Sequence, residues 1–196
     1  MESSNLIISD DKRFKRVALK SILSADNVDE CIRENLDVVL ELIPELKFMI
    51  GFEHNHPHHH LDVWEHTLLA LKLSNNDFDT RLALLLHDIG KPFSFQDEEV
   101  RHFRGHPLVS AQIAKEILTR MGYDSDYIIE MCQIIKLHDM PIEEKDIAKD
   151  IDFFIKLFKV QASDAMAHNP AKNAKRIAYL HETAQMFEEF ACQIEK

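Results

Sequence analysis

Helix-spaced apolar residues run along almost the whole chain, and very few residues interrupt them. Only 4 glycines and 6 prolines occur among 196 residues, too few for the many tight turns of a β-sandwich or barrel. Apolar residues recur three and four positions apart, and no alternating pattern typical of a strand extends beyond four residues. The sequence therefore predicts an all-α fold.

Several predicted helices begin and end at recognisable signals. Asp62, with Glu65 three residues later, forms a capping pair at the start of one helix. Pro107 and Gly122 suit the first turn and the end of another. The predicted helical segments are 14–22, 32–43, 62–73, 79–89, 107–121, 124–137, 153–167 and 171–194.

The helices predict a single compact bundle. The chain is long enough for one sizeable core, and it contains no internal repeat or low-complexity segment. The loop before Asp62 is the one candidate boundary, and it is too weak to define a second domain. We expect one domain over residues 1–196, with N-terminal helices over about 1–50 packed on a core over about 60–170 and a C-terminal helix over 171–196.

Charge and cysteine usage narrow the function classes. The chain has 23 Lys and Arg against 34 Asp and Glu, a net charge of −11, which argues against extended nucleic acid or a membrane as partner. Three distant cysteines predict no disulfide framework, with Cys132 and Cys192 as small core residues. The sequence shows no signal peptide and no membrane-spanning stretch, so we expect a cytoplasmic protein.

The chain contains 12 histidines, and several stand where helices are predicted to begin or end. Groups at helix ends can converge at one mouth of a bundle, where solvent and substrate reach them. Imidazole and carboxylate together suit borderline divalent cations, and the absence of thiolates excludes a cysteine-rich structural zinc site. The candidate ligands are His66, His87, Asp88, His106, His138 and Asp164.

Two explanations of this set remain open on spacing alone. A carboxylate that follows a histidine can bridge two cations, and a pair of cations can hold both the attacking hydroxide and the leaving oxygen of a phosphate ester. Taken singly, however, a helical histidine is more often hydrogen-bonded structure than a ligand. Asp88 can equally cap a helix or pair with a nearby base.

The remaining histidines and aromatic residues have ordinary structural interpretations. We interpret the internal run His54–His60 as a solvated loop that binds metal only adventitiously, with His58 or His59 as the functional candidate otherwise. His168 and His181 are predicted at the surface. Three aromatic residues are predicted to pack in the core or a pocket wall: Trp64, Phe93 and Phe103.

The ordered motifs resemble the HD superfamily of metal-dependent phosphohydrolases. His66, then His87-Asp88-Ile89-Gly90-Lys91, then Asp164 follow that family's order, over a likeness that covers about residues 28–170. Further stretches are similar to the HD domain of bacterial CCA-adding tRNA nucleotidyltransferases. These stretches are Pro44-Glu45-Leu46, Gly51-Phe52, Pro57-His58-His59, Asp62-Val63-Trp64-Glu65-His66-Thr67, His102-Phe103-Arg104-Gly105-His106, Ala162-Ser163-Asp164-Ala165 and Asn169-Pro170.

The resemblance implies an HD-domain helical bundle and a ligand set. Asp88 is implied as the bridge if two cations bind, and His106 with His138 match the additional pair of the two-metal branches. The implied cofactor is one or two divalent transition-metal ions (iron, manganese, cobalt, nickel or zinc), with magnesium as a further candidate. The four core ligands that the resemblance implies are His66, His87, Asp88 and Asp164.

We expect a metal-dependent phosphohydrolase that acts on a phosphomonoester or cyclic phosphodiester, with a nucleotide as the favoured small substrate. Lys91 matches a position that often faces substrate phosphate, although by itself it can be a solvated charge. Lys91 and the helix N-terminus near His106 would stabilise developing negative charge. Asp88 or His138 would handle the proton of the attacking water. The expected catalytic residues are therefore Asp88, His138 and Lys91.

Two other functions remain in view, and the oligomeric state is open. One is a non-catalytic regulatory module that binds metal or nucleotide, and the other is a tRNA-end processing partner of a separate nucleotidyltransferase. The net charge of −11 speaks against the second. Since only about sixty residues precede His66 and Asp10-Asp11 lacks a Gly-rich context, we do not expect CCA addition by this chain.

Overall fold

The computed structural model describes residues 11–96 and 100–194, and it shows a bundle of α-helices. The first ten residues, Asp10 among them, lie outside the described residues. No strand occurs in the part of the chain that the structure describes, so the all-α prediction is confirmed. The helices are α1 (Lys12–Leu23), α2 (Val28–Glu34), α3 (Leu36–Leu42), α4 (Val63–Leu73), α5 (Phe78–Leu86), α6 (Lys91–Ser94), α7 (His106–Met121), α8 (Ser125–Leu137), α9 (Glu144–Ile147), α10 (Ile151–Met166) and α11 (Ala174–Ile194), with 3-10 helices at Pro44–Phe48 and Pro170–Lys172.

Aspartates cap two helices that bear candidate ligands: Asp62, as predicted, and Asp124, which was predicted only as the first residue of its helix. The carboxylate of Asp62 accepts a hydrogen bond from the Glu65 amide at 2.7 Å at the start of α4. Asp124 accepts from the Tyr127 amide at 3.0 Å at the start of α8. Each cap satisfies an amide that the first turn of a helix leaves without an intrahelical partner.

Helix α5 is the centre of the core. Residues 82–86 have no exposed surface, and the helix packs against α4, α8 and α10. A helix that is apolar all round is stable only when it is enclosed by other helices. Burial of each such leucine side chain contributes about 1.5–3 kcal/mol. The chain therefore delivers the two residues after this helix, His87 and Asp88, into the interior.

The segment 32–43, predicted as one helix, is divided into α2 and α3. Asn35 leaves the helical conformation with φ of −113°. Its side-chain amide donates to the carbonyl of Cys31 at 2.8 Å. An asparagine that bonds a backbone carbonyl in this way competes with the helix and favours its end.

The predicted helix over 79–89 also ends early. Helix α5 stops at Leu86, and after a turn α6 begins at Lys91 with Pro92 in its first turn. Proline is tolerated there because an amide in the first turn has no intrahelical acceptor. Helix α9 was not predicted. It has only 4 residues, and a capping box between Glu143 and Asp146 holds it.

Two predicted core residues lie at the surface. Cys192 is exposed on α11, whereas Cys132 is half-buried and donates to the carbonyl of Ala111 at 3.4 Å. Phe93 is 51% exposed and packs edge-to-face on Phe48 at a ring distance of 5.2 Å. The short helix α6 offers too little length to place both of its faces in the core.

Among the described residues, none of the helices combines the length and the apolar character needed to cross a bilayer.

Candidate metal centre

The six predicted ligands meet inside the bundle. They come from α4, α7 and α10, from the ends of α5 and α8, and from the turn after α5, and their exposed fractions lie between 0% and 7%. The structure therefore brings together every residue of the predicted set: His66, His87, Asp88, His106, His138 and Asp164.

Asp88 lies at the centre, and each of its oxygens faces one pair of histidines. Oδ2 is 3.3 Å from Nε2 of His87 and 3.9 Å from Nε2 of His66. Oδ1 is 3.1 Å from Nε2 of His106 and 3.9 Å from Nε2 of His138. This carboxylate is the shared member of two groups whose ligand atoms lie close enough to hold a cation.

Asp164 completes the first of these groups. Its Oδ1 is 2.8 Å from Nε2 of His66 and 3.5 Å from Nε2 of His87. Its other oxygen accepts a hydrogen bond from Arg176 at 2.9 Å. Two imidazoles and two carboxylates thus surround one position, and the second position has two imidazoles and the shared carboxylate.

The outer nitrogen of each histidine bonds a backbone carbonyl. Because a carbonyl only accepts, each Nδ1 carries a hydrogen, and in the neutral ring Nε2 turns its lone pair toward the site. Three of these carbonyls belong to the residue three positions before the histidine. Each lies in the last turn of a helix or in a turn between helices, where backbone oxygens have no partner within a helix. The pairs are His66 with Ala167 (3.3 Å), His87 with Leu84 (2.6 Å), His106 with Phe103 (2.9 Å) and His138 with Ile135 (2.6 Å).

The donor set fits a divalent cation. Nε2 of His87 and Oδ1 of Asp88 are buried without a hydrogen-bond partner, and Oδ2 of Asp88 has only the Lys91 ammonium at 2.6 Å. The Nε2 atoms of His106 and His138, each with an inward lone pair, lie 3.2 Å apart. Buried polar atoms without partners destabilise a fold, and a cation bound by imidazole nitrogen and carboxylate oxygen would satisfy all of them.

Electrostatics keep the two carboxylates charged. Burial raises the pKa of Asp88, but the positive charges of His87 and Lys91 outweigh it and hold that pKa well below its usual value. Burial likewise raises the pKa of Asp164, but the His66 and His87 imidazoles, whose Nε2 atoms lie 2.8 Å and 3.5 Å from Oδ1, bring it well below the usual value. Both carboxylates are therefore ionised at neutral pH.

Two buried histidines of the site, His87 and His138, behave differently. Burial lowers the pKa of His87, but the negative charges of Asp88 and Asp164 beside it raise it to about 10. Burial lowers the pKa of His138 to about 4. The position at His87 thus favours positive charge, whether from a proton or from a metal ion that competes with the proton.

Gly90 allows the turn that carries Asp88 to approach α7. A Cβ atom there would lie 2.5 Å from the Ser110 amide nitrogen and 2.8 Å from the His106 carbonyl oxygen. The Gly90 amide also donates to the Ser110 hydroxyl at 2.9 Å. Only a residue without a side chain fits this contact, which brings Asp88 within reach of His106.

A cavity of about 640 Å³ opens onto the centre. Asp88, Asp164, His106 and His138 lie in its wall, together with Phe103, as predicted for that ring. Cationic side chains line it as well. They are Lys91, Arg101, Arg104, Lys136 and Arg176.

Two residues of the site escaped the sequence interpretation. Oδ2 of Asp139 is 3.5 Å from Nε2 of His106 and 3.7 Å from Nε2 of His138. Arg176 donates to Asp139 at 3.0 Å and to Asp164 at 2.9 Å, and so ties α11 to the centre. Asp139 could have been found from the sequence, because it follows His138 just as Asp88 follows His87. No sequence pattern indicates Arg176.

His168 was predicted at the surface, and the structure contradicts this. It is 6% exposed, its Nδ1 donates to the Asp164 carbonyl at 2.9 Å, and its Nε2 accepts from Arg176 at 3.1 Å. His168 forms a further group with His66 and Asp164 whose ligand atoms lie close enough to hold a cation, but both of its nitrogens are engaged in hydrogen bonds. His181 is exposed on α11, as predicted.

The loop over 54–60 is only partly solvated. His58 and His60 are exposed, but His54 is 1% exposed, so the prediction of a solvated loop is wrong for that residue. His59 is half-buried and lines the cavity. The error arises because residues distant in sequence cover this loop, as in the hydrogen bond from the Asn169 amide to the His58 carbonyl at 2.9 Å.

Comparison with known proteins gives the family. The HD domain family matches residues 58–180, more than half of the chain. A CC-adding tRNA nucleotidyltransferase of Thermus thermophilus is 33% identical over 124 residues, which are 58% of this chain and 28% of that protein. An A-adding tRNA nucleotidyltransferase of Deinococcus radiodurans is 35% identical over 96 residues, 45% of this chain and 22% of that protein.

A multifunctional CCA protein of Shewanella denitrificans is also similar, at 34% identity over 92 residues. The aligned part covers 44% of this chain and 22% of that protein. The chain therefore spans about a quarter of the length of these relatives. The expected resemblance is confirmed, and the chain belongs to the HD domain family, which is part of a superfamily of metal-dependent phosphohydrolases.

Proposed function

We propose that the protein is a metal-dependent phosphohydrolase that cleaves a phosphomonoester or cyclic phosphodiester of a small substrate, with a nucleotide as the favoured class. The observation that carries the proposal is the position of Asp88 between two histidine pairs at the base of a cation-lined cavity. Two cation positions that share a carboxylate suit displacement at phosphorus.

The residues would divide between two cations. His66, His87 and Asp164 would hold the first together with Asp88, and His106 and His138 would hold the second, also together with Asp88. The imidazole and carboxylate donors suit iron, manganese, cobalt, nickel or zinc, and suit magnesium less because it prefers oxygen ligands. A divalent metal ion at this site supplies a water of lowered pKa and charge that stabilises the phosphoryl oxygens.

Three residues carry turnover in this proposal. Asp88 would contribute to both cation positions, and it remains ionised because its neighbours hold its pKa well below the usual value. Lys91 lines the cavity at 2.6 Å from Asp88 and brings its ammonium to the phosphate. If only the first cation position is filled, Nε2 of His138 keeps its lone pair and accepts the proton of the attacking water.

The cavity favours a small anionic ligand. The chain as a whole carries a net charge of −11, so the five cationic side chains around this cavity are a local exception. The N-terminus of α7, at His106, adds the positive end of a 16-residue helix. A volume of about 640 Å³ is that of a pocket for a small molecule.

The lining is also suited to the uncharged part of a nucleotide. Leu108 is 57% exposed and Met140 is 56% exposed, and both line the cavity. Exposed apolar side chains beside cations and metal ligands give a base or other flat apolar group a surface to pack against. We therefore favour a nucleotide over a small phosphate ester that lacks such an apolar group.

Turnover assays of untagged protein test the proposal. The assays would use manganese, cobalt, nickel, zinc and magnesium in turn, with p-nitrophenyl phosphate, adenosine monophosphates and adenosine 2′,3′-cyclic phosphate. We expect hydrolysis of at least one small substrate with a transition metal, and loss of activity with a chelator. Metal binding without turnover of any substrate would instead favour the regulatory module.

The relatives are named for activity on tRNA, which gives the second candidate its support. A tRNA-end processing role predicts activity on tRNA ends alone, and a steep loss of that activity between low and moderate salt. Activity on mononucleotides with weak salt dependence would exclude that role as the main one.

A further inference from the structure

His54 is fixed as a hydrogen-bond acceptor in the interior. It is 1% exposed, and its Nδ1 lies 2.8 Å from the backbone carbonyl of Leu61. Because a carbonyl can only accept, Nδ1 carries the hydrogen, and Nε2 is left with a lone pair. The histidine is therefore the tautomer that can receive a hydrogen bond at Nε2.

The group at that nitrogen is the Lys91 ammonium. Nζ of Lys91 is 3.0 Å from Nε2 of His54 and 2.6 Å from Oδ2 of Asp88, and Lys91 is 5% exposed. An ammonium only donates, so the hydrogen bond runs from Lys91 to His54. The ammonium also lies 5.4 Å from the centre of the Phe103 ring. His54, Asp88 and Phe103 together thus fix the position of the Lys91 ammonium.

The His54 ring is itself held in place. It stacks on His59 with ring centres 3.8 Å apart and an angle of 5° between the planes. The edges of Phe103 and His66 lie against it at ring distances of 5.7 Å and 5.6 Å. A side chain enclosed on these sides keeps its acceptor atom in one position.

We propose that His54 is a positioning residue that holds the Lys91 ammonium at the cavity, where the charge meets the substrate phosphate. The proposal rests on the proposed phosphohydrolase function. Lysine carries its charge on a flexible four-carbon stem, so a fixed acceptor confines it to one place. His54 does not serve as a further metal ligand, because the ammonium already occupies the space in front of Nε2.

Substitutions that keep or remove the acceptor test the role. His54→Gln keeps an oxygen acceptor near the position of Nε2, and His54→Leu removes it. With p-nitrophenyl phosphate, we expect His54→Leu to lower kcat/KM about 10- to 100-fold, as for loss of a hydrogen bond to a charged group. His54→Gln should recover most of that loss, with metal content unchanged in both. His60→Leu, in the same loop but exposed, is the matched control.

A double-mutant cycle with Lys91 distinguishes a positioning role of His54 from a general disturbance of the site. If His54 acts through Lys91, then His54→Leu should cost almost nothing further in protein that already carries Lys91→Met. Equal losses in the two backgrounds would overturn the proposal, and so would a His54→Gln variant as slow as His54→Leu.

Labelling of amines provides a readout that does not depend on activity. Acetylation of the intact protein, followed by peptide mass spectrometry, should modify Lys91 several-fold faster in His54→Leu than in the wild type or in His54→Gln. The exposed Lys136 is the internal reference. An unchanged rate at Lys91 would contradict the positioning role, whereas wild-type protein without phosphatase activity would contradict only the proposed function.

Discussion

The histidines of the candidate metal centre and those of the 54–60 loop differ in what fixes their rings. In the centre, each Nδ1 donates to a backbone carbonyl, and each Nε2 points to the same small volume beside Asp88. In the loop, His56 and His58 stack on each other with ring centres 5.2 Å apart, and His58 and His60 are exposed. A large number of histidines does not by itself produce a set of nitrogen atoms that point to one place.

The end of a helix can fix the orientation and the tautomer of a candidate ligand. At the ends of α5 and α8, the carbonyls of Leu84 and Ile135 lack the helical partners that interior carbonyls have, and they bind His87 and His138 three residues later. This bond selects the tautomer before any cation binds. A loop histidine has no such carbonyl at a fixed spacing, unless tertiary contacts provide one, as Leu61 does for His54.

Removal of the shared carboxylate is expected to have the largest effect. Asp88→Asn is nearly isosteric, so the fold should persist, but the amide loses the charge that holds cations. A loss of about 4 kcal/mol of transition-state stabilisation lowers the rate by about three orders of magnitude. Turnover, metal content and helical circular dichroism should be measured together.

The exposed His181 on α11 gives the matched control for that change. His181→Ala should keep the wild-type rate and metal content. If Asp88→Asn keeps both as well, then Asp88 is a capping or pairing residue, and the site is wrongly assigned.

The two halves of the centre can be separated by their metal stoichiometry. His106→Ala and His138→Ala each remove a nitrogen from the second position and leave His66, His87 and Asp164 in place. If two cations bind, each variant should lose about one equivalent of metal and most of the activity. Unchanged stoichiometry in both variants would restrict the centre to one cation.

The stability of the metal-free protein should fall as the pH is lowered from about 6.5 to about 4. Burial lowers the pKa of His138 and of His168 to about 4, whereas an unfolded histidine titrates near 6.5. In that interval the unfolded chain binds more protons than the folded chain, so acid favours unfolding. We expect the melting temperature to drop by several degrees, measured with a chelator present.

His87 has the opposite effect on the pH dependence of stability. Its pKa is raised to about 10 in the folded protein, above the value of the unfolded chain. Its contribution to the free energy of unfolding is full below about pH 6.5 and is lost as the pH rises toward 10.

The prediction for the acidic range has a clear contradicting outcome. A melting temperature that stays constant from pH 6.5 to 4 would show that His138 and His168 are not buried as neutral groups.

The smallest effect is expected in the loop. His58→Ala together with His60→Ala should leave turnover and tightly bound metal unchanged, because both side chains are exposed and neither lies at the centre. Elemental analysis after dialysis and a standard rate assay would detect a change. Loss of a full equivalent of metal would show that the loop histidines bind a cation, and it would contradict the difference drawn between the loop and the candidate centre.

Much of the fold and of the candidate site could be predicted from the sequence, because both depend on local signals. Helix spacing marks α4 and α8, the cap at Asp62 marks the start of α4, and histidines beside helix ends mark the candidate site. The division at Asn35 was missed because it depends on one side-chain bond to Cys31 that no periodicity shows.

The supporting residues could not be predicted because their roles depend on contacts between distant parts of the chain. Arg176 reaches Asp139 and Asp164 from α11, and His54 meets Lys91 across 37 positions of sequence. A histidine in a polar loop looks solvated until the fold covers it. Sequence patterns therefore identify the atoms that could bind a cation more readily than the groups that orient them.

The measurement that bears most directly on the metal centre is the metal content of untagged protein that carries His58→Ala and His60→Ala, which removes the exposed histidines of the loop. Elemental analysis and equilibrium dialysis should find one or two equivalents of a divalent transition metal, and chelation should lower the melting temperature because the cation binds the folded state. Protein that holds no metal, and takes up none at micromolar concentrations of manganese, cobalt, nickel or zinc, would contradict a preformed cation site around Asp88.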